Sequence, residues 1–148
     1  MAQLSLIAFV GLTLLLTTGD VDAVQKIKSY AVADALALQQ SKSKLGSLVK
    51  FYFANHPHGE VAQHFAKAST AKKINAFNKS DLEACQSVFL AALIALKDRA
   101  KKEGGNAVIN IQSQRNGKTS VIADNFDCVL GRYAAAIQLS GDIVTLNQ

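Results

Sequence analysis

The chain has little charge, a single proline and no tryptophan. Charged side chains make up 18% of its 148 residues, whereas hydrophobic residues make up 49%. Intrinsically disordered chains have the opposite composition, with low hydrophobicity and high net charge, so this composition excludes disorder along the whole chain. The length suits one domain with its own hydrophobic core.

Complete catalytic motifs are missing. Gly117-Lys118-Thr119 matches the end of a nucleotide-binding P-loop, but the motif needs a glycine five positions earlier, where the chain has Gln112. The β-branched residues that follow predict a strand, whereas a P-loop requires a helix there. Asn116-Gly117 is therefore predicted to form the turn of a β-hairpin, because both residues tolerate positive φ angles. A G-x-S-x-G nucleophile elbow is also missing, and we expect the protein not to be an enzyme.

Charge is absent from the first 19 residues, and residues 4–16 form an almost continuous apolar run. Compact residues at Val21 and Ala23 then fit a signal cleavage site, so residues 1–23 are predicted to be a signal peptide. Residues 24–148 would form a single periplasmic or secreted domain. The apolar run is shorter than the about 20 residues of a membrane span, so no stable span is expected after cleavage. Because the segment lacks Lys and Arg, a retained anchor is the alternative.

The predicted mature chain is basic. Removing residues 1–23 takes away Asp20 and Asp22 but no base, so the formal charge rises from +5 to +7. Such a charge favours anionic neighbours, and the predicted partner is a protein or an anionic envelope polymer. The lysines are spread along the chain without interleaved aromatic residues, so no specific binding of nucleic acid is expected.

The first half of the mature chain gives mixed structural signals. Residues 47–55 alternate as a strand does, and the His-Pro-His-Gly that follows should end it. Residues 30–40 are compatible with a short helix or a turn. Residues 60–70 are compatible with a strand or a helix.

The second half predicts a long helix followed by strands. Ser80-Asp81-Leu82-Glu83 is a capping box, the residues after it carry an apolar stripe at helical spacing, and Gly104-Gly105 should end the helix. Strands are then predicted at 107–112, 118–124 and 132–139, with 126–130 extending the second and a turn at Gly141-Asp142. The predicted fold is α+β: one long helix packed on a small antiparallel sheet, in the order strand, helix, three-strand meander.

Two segments carry a family resemblance. "NAFNKSDLEACQSVFLAALIALKDRAKKEGGNAVINI" and "FDCVLGRYAAAIQLSGDIVTL" resemble small exported bacterial proteins often labelled "excinuclease ATPase subunit". The resemblance covers essentially the whole mature chain. The label implies a nucleotide-excision ATPase, whereas this chain lacks a complete P-loop and a zinc-type CxxC pair.

The half that contains the helix and "GGNAV" also looks, more distantly, like the Rcs envelope-stress sensor lipoprotein and related domains named for heavy-metal binding. That resemblance implies an α+β domain stapled by disulfides that makes protein contacts at the envelope. This chain departs from it in having two cysteines and no lipidation cysteine. Together the resemblances imply a non-catalytic binding or stress-related interaction module.

Cys85 and Cys128 are the only cysteines. In an exported protein, an even pair is typical of a disulfide, and we predict one between them. Cys85 would lie on the apolar stripe of the long helix. The alternative is a reactive thiolate at Cys85, since a helix N-terminus lowers the pKa of a thiol.

His56, His58 and His64 are the candidate metal ligands, with Glu60 nearby. A structural zinc site needs four ligands and a catalytic one needs three and a water. Three loop histidines without a cysteine partner are more typical of solvated residues, so no metal or other cofactor is expected. A periplasmic metal-binding protein using these histidines is the alternative function.

Overall fold

The computed structural model describes residues 25–147. The strands are β1 (Lys26–Ala31), β2 (Lys50–Phe53), β3 (Val61–Asn75), β4 (Ala107–Arg115), β5 (Lys118–Val121), β6 (Asn125–Leu130) and β7 (Ala134–Leu146). The helices are α1 (Val32–Ala37), α2 (Gln39–Leu45) and α3 (Asp81–Glu103). The predicted signal peptide, residues 1–23, lies outside the described residues. Among the helices within 25–147, none is long and apolar enough to cross a membrane.

All seven strands belong to one sheet, and β7 is its centre. One edge of β7 pairs with β3 along the whole of β7, and the other edge pairs first with β6 and then with β4. β1 continues the sheet beyond β6, whereas β2 and β5 both pair with β4. Every pairing is antiparallel except the parallel one between β2 and β4. Strands distant in sequence therefore lie side by side.

The predicted mixture of helix and sheet is confirmed, but the sheet is larger than predicted. It has seven strands with one parallel pair, and three helices accompany it. The final strands do not form a simple meander, because β6 pairs with β1 and β7 and makes no pairing with β5. Of residues 60–70, all but Glu60 belong to β3, and residues 30–40 fall largely in α1 and α2. The predicted turn at Gly141-Asp142 is wrong, since both residues lie inside β7.

The capping signals of α3 are confirmed. The Ser80 hydroxyl accepts a hydrogen bond from the Glu83 amide at 3.2 Å, while the Glu83 carboxylate accepts one from the Ser80 amide at 2.9 Å. These bonds satisfy amides that the first helical turn leaves without partners. Gly104 ends the helix with a φ of 85°, a left-handed conformation that glycine adopts without a steric penalty.

One face of the sheet is covered by α3, which packs against β3 and β7. The Phe89 ring of α3 stacks on Phe126 of β6 at 4.1 Å between centroids and lies 6.0 Å from Phe53 of β2. The predicted apolar stripe is therefore buried from Cys85 onward. Leu82, also part of the predicted stripe, is the exception: it lies in the first turn, ahead of the first buried residue Ala84, and 44% of its surface is exposed.

Candidate functional site

The cysteine pair links the start of α3 to β6. The Sγ atoms of Cys85 and Cys128 are bonded, and their Cα atoms are 5.7 Å apart, within the range that a disulfide requires. Both residues are fully buried in the core between helix and sheet. Since the sulfurs are bonded to each other and enclosed, the alternative of a reactive Cys85 thiolate has no structural support. A disulfide at this position is compatible with an oxidising, exported compartment.

The three histidines lie in three different environments. His56 is exposed in the loop after β2, and the His58 ring packs edge-on against Tyr52 with centroids 5.6 Å apart. His64 of β3 places Nε2 at 3.8 Å from the Asp142 carboxylate, which also accepts a hydrogen bond from Asn110 at 2.9 Å. Within residues 25–147, no three His, Cys, Asp or Glu side chains come together as a metal site. The described geometry therefore gives the metal-binding alternative no support.

The sheet forks where β7 changes its neighbour. Ala135 and Ala136 pair with β6, and β4 becomes the partner from Leu139 onward. Between these stretches Ile137 and Gln138 pair with β3. The β4–β5 hairpin therefore diverges from β6 and leaves a gap in the side of the sheet.

This gap forms a groove. A hollow of about 260 Å³ lies between the hairpin and β6, with Ile137 and Gln138 as its floor. It continues into a hollow of about 320 Å³ bordered by β3 and into another of about 320 Å³ bordered by β1. We name these three adjoining hollows the fork groove.

The floor of the fork groove carries amides and hydroxyls. Gln114 donates a hydrogen bond from Nε2 to the Ser140 hydroxyl at 3.0 Å, and Gln138 donates from Nε2 to Gln114 Oε1 at 3.4 Å. Ser113 and Ser120 border the same hollow. The two hydrogen bonds hold Gln114 and Gln138 in place, and the amides of these residues offer neutral donors and acceptors to a ligand.

The fork groove is electrically asymmetric. Lys72, Lys73 and Arg115 line the end at β3, which has no acidic lining residue in the described chain. Asp124 and Asp127 line the end at β1. The ion pairs found within residues 25–147 involve Lys28, His64 and Arg99, so the three cations at β3 have no ion-pair partner there. An anion would therefore be attracted to the β3 end, which we name the basic end.

The sequence gives part of this site. The turn at Asn116-Gly117 is confirmed: both residues have positive φ, at 48° and 72°, and Arg115 pairs with Lys118. The polar residues Gln112 and Gln114 alternate with Ile111 and Ser113, which marks a strand with one face away from the core. The groove itself was missed, because it depends on which distant strands pair with β7.

Comparison with known proteins gives no relative from which to transfer a function. No protein-family model matches the chain, and neither a curated protein nor a solved structure matches it.

Proposed function

We propose that the protein is an exported, non-catalytic binding module whose fork groove holds an anionic, hydroxyl-bearing polymer of the cell envelope. The observation that carries the proposal is the basic end of the groove, where Lys73 and Arg115 lie beside a floor of amides and hydroxyls. Lys72, the neighbour of Lys73 in β3, points to the other face of the sheet.

The shape and chemistry of the groove favour an extended ligand. It runs across the sheet from β3 to β1, and its floor residues Gln114 and Gln138 present neutral hydrogen-bonding groups. Acidic polysaccharides combine both features that match these groups, since each sugar bears hydroxyls and many bear a carboxylate or phosphate. The carboxylates or phosphates would lie at the basic end, away from Asp124 and Asp127, because like charges repel.

The same groups favour binding over catalysis. The amides and hydroxyls on the floor do not ionise near neutral pH, and general acid–base catalysis works best with a group that does. Export is supported by the Cys85–Cys128 disulfide, which suits an oxidising compartment, and by the predicted signal peptide. The resemblance to small exported proteins points in the same direction.

The test is binding of polygalacturonate, an acidic polysaccharide, compared with neutral dextran. We expect the wild-type protein to bind the first polymer and not the second. Replacing Lys73 and Arg115 with glutamine should weaken binding about two- to thirtyfold, since each exposed charge contributes about 0.2–1 kcal/mol and 1.4 kcal/mol is tenfold. The Q114A/Q138A double variant should also bind polygalacturonate more weakly than the wild type, but with the same dependence on salt.

The matched control is K101Q/K102Q, which removes the same charge from the last turn of α3, outside the fork groove. This variant should bind as the wild type does. Equal weakening in both charge variants would mean that net charge alone attracts the polymer, and the groove proposal would be wrong. Preference for polyglutamate over polygalacturonate would replace the polysaccharide with an acidic protein partner.

A further inference from the structure

Two aromatic rings are exposed together at one end of the molecule. Phe77, in the loop between β3 and α3, has 60% of its surface exposed, and Tyr133, in the loop between β6 and β7, has 53%. Their rings meet edge to face with centroids 6.0 Å apart. The core aromatics Phe53, Phe89 and Phe126 are all buried. Exposure of a contacting aromatic pair therefore needs a reason outside the fold.

The backbone holds the two loops in this arrangement. The Ala76 amide donates a hydrogen bond to the Tyr133 carbonyl at 2.9 Å, which ties one loop to the other. The Asn75 side chain accepts a hydrogen bond from the Phe77 amide at 2.8 Å. The rings are thus presented by fixed loops, and a partner would not have to order them on binding.

Three cations lie near the rings. The Arg132 guanidinium lies 5.2 Å from the centre of the Tyr133 ring, and Lys73 borders the same shallow hollow as Tyr133. Lys79 follows Phe77 by two residues in the same loop. Neither Arg132, Lys73 nor Lys79 has an ion-pair partner within the described residues. We name Phe77, Tyr133 and these three cations the aromatic tip.

Two acids near the aromatic tip compensate only part of its charge. Asp81 lies 2.7 Å from the Lys28 ammonium, and the Glu83 carboxylate accepts hydrogen bonds from Ser80. Asp81 is paired with Lys28, whereas Glu83 keeps its negative charge, which acts on Lys79. Three cations against this one carboxylate leave the tip with net positive charge beside its apolar surface.

We propose that the aromatic tip docks the protein reversibly on an anionic lipid surface. Aromatic side chains are favoured at the boundary between lipid headgroups and acyl chains, and the Tyr hydroxyl can stay hydrated there while its ring is buried. Lysine and arginine at the same depth are attracted to anionic headgroups. A protruding pair of rings suits a broad, deformable surface, since it offers no enclosed pocket for a single small ligand. This surface shares Lys73 with the basic end of the fork groove and is otherwise formed by different residues.

The absence of tryptophan makes a local test simple. Phe77→Trp would place the only tryptophan of the chain in the aromatic tip, and Leu48→Trp would place it at another exposed apolar position, 76% exposed, outside the tip. The proteins are purified in their exported form. They are mixed with vesicles of two kinds. One kind contains phosphatidylcholine alone, and the other contains phosphatidylcholine with about 30% of the anionic lipid phosphatidylglycerol. Tryptophan emission of F77W should shift to the blue with anionic vesicles, and that of L48W should not.

Vesicle sedimentation measures the energetics. The F77A/Y133A variant should lower partition into anionic vesicles about tenfold, since the apolar area that leaves water is lost. K79Q/R132Q should lower it by about fivefold for each cation removed, and added salt should weaken wild-type binding. K101Q/K102Q is the matched control for charge and should partition as the wild type does. Every variant has the same N-terminus, so any contribution of residues 1–23 is common to all.

Three results would overturn the proposal. One is an unshifted F77W spectrum with anionic vesicles, and another is an equal shift in L48W. The third is a shift of F77W emission with polygalacturonate but not with vesicles, which would make the aromatic tip a sugar-stacking surface. Thermal unfolding of each variant verifies that the folds are comparable.

Discussion

Charge-assisted hydrogen bonds cluster at the start of α3, where they involve Ser80, Asp81 and Glu83. Hydrogen bonds from the Ser80 amide and hydroxyl hold the pKa of Glu83 below its usual value of 4.5. The hydrogen bond from Lys28 holds the pKa of Asp81 below its usual 3.8, and the same contact raises the pKa of Lys28 above 10.5. Each shift links the stability of the fold to pH.

The signs of these shifts predict an acid limb in the stability curve. A carboxylate whose pKa is lower in the folded state stabilises the fold above its unfolded pKa, and this contribution disappears as the pH falls through the folded value. We therefore expect the melting temperature to fall as the pH drops below about 4.5. Glu83→Gln should lower the melting temperature at pH 7 by a few degrees or less and flatten the acid limb, because these carboxylates are exposed and solvent screens them.

The measurement is thermal unfolding followed by circular dichroism from pH 7 to pH 3. Glu103→Gln removes the same charge from the other end of α3 and should leave the acid limb as in the wild type. The Lys28 contribution has the opposite sign: it is complete below pH 10.5 and is lost only at higher pH. An E83Q curve that parallels the wild type throughout would contradict the assignment.

Features that depend on neighbouring residues were predictable at this scale. The capping box joins residues three apart, and the Asn116-Gly117 turn needs only its own φ angles. The exposure of Leu82 was not predictable, because helical spacing does not state where the helix meets the sheet. The aromatic tip escaped for the same reason, since Phe77 and Tyr133 are brought together by the pairing of β3 with β7.

At the scale of the element, β7 shows how a local rule can mislead. Gly-Asp is common in turns, yet Gly141 continues the strand as a partner of Ala68 in β3. A Cβ atom at Gly141 would lie 2.6 Å from Val108 Cγ1 and 3.3 Å from Ile111 Cγ1. Glycine is therefore required by the close approach of β4, and a sequence pattern cannot distinguish this need from a turn.

Gly141→Ala should destabilise the protein by about 1–3 kcal/mol, because the added methyl group forces β4 and β7 apart in a packed core. Gly131→Ala is the matched control: its Cβ would meet only the Ala134 carbonyl oxygen, at 3.9 Å, and should change stability little. Urea unfolding of the two variants gives the free energies. Equal stability of G141A and the wild type would show that β4 can move without penalty.

The strands also differ in whether their own residues predict them. Alternation predicts β2, a strand-like run predicts β4, and the stripe and caps predict α3, because these patterns lie within one element. No pattern predicts β1, and residues 60–70 fit a strand or a helix, since β3 combines exposed polar residues with small ones and its order comes from thirteen paired positions on β7. Pairing partners, more than propensity, define these two strands.

At the scale of the whole molecule, the Cys85–Cys128 disulfide closes a loop of 43 residues. A loop of this length stabilises a fold by about 4 kcal/mol on the chain-entropy model. Reduction, or the C85A/C128A double variant, should therefore lower the melting temperature by several degrees, at roughly 2–4 °C or more per kcal/mol. Reductant should have no further effect on C85A/C128A.

Intact-mass analysis of protein purified without reductant tests the bond directly. The sample is denatured and alkylated with and without prior reduction. No alkylation is expected without reductant, and two alkylated cysteines in that sample would contradict the disulfide. The cysteine pair was predictable from its count and the expected compartment, whereas the seven-stranded order was not, because it arises from contacts between distant segments.

The position of β7 has a consequence for the order of synthesis. Chains emerge from the ribosome N-terminus first, and early segments often fold before later ones appear. Here β3, β4 and β6 all join the sheet through β7, which follows them in sequence. Before β7 is made, β3 lacks its one strand partner within residues 25–147, and the central strand of the sheet is absent. The sheet therefore cannot assemble before β7 is synthesised, so this protein can complete its fold only after residues 134–146 have emerged.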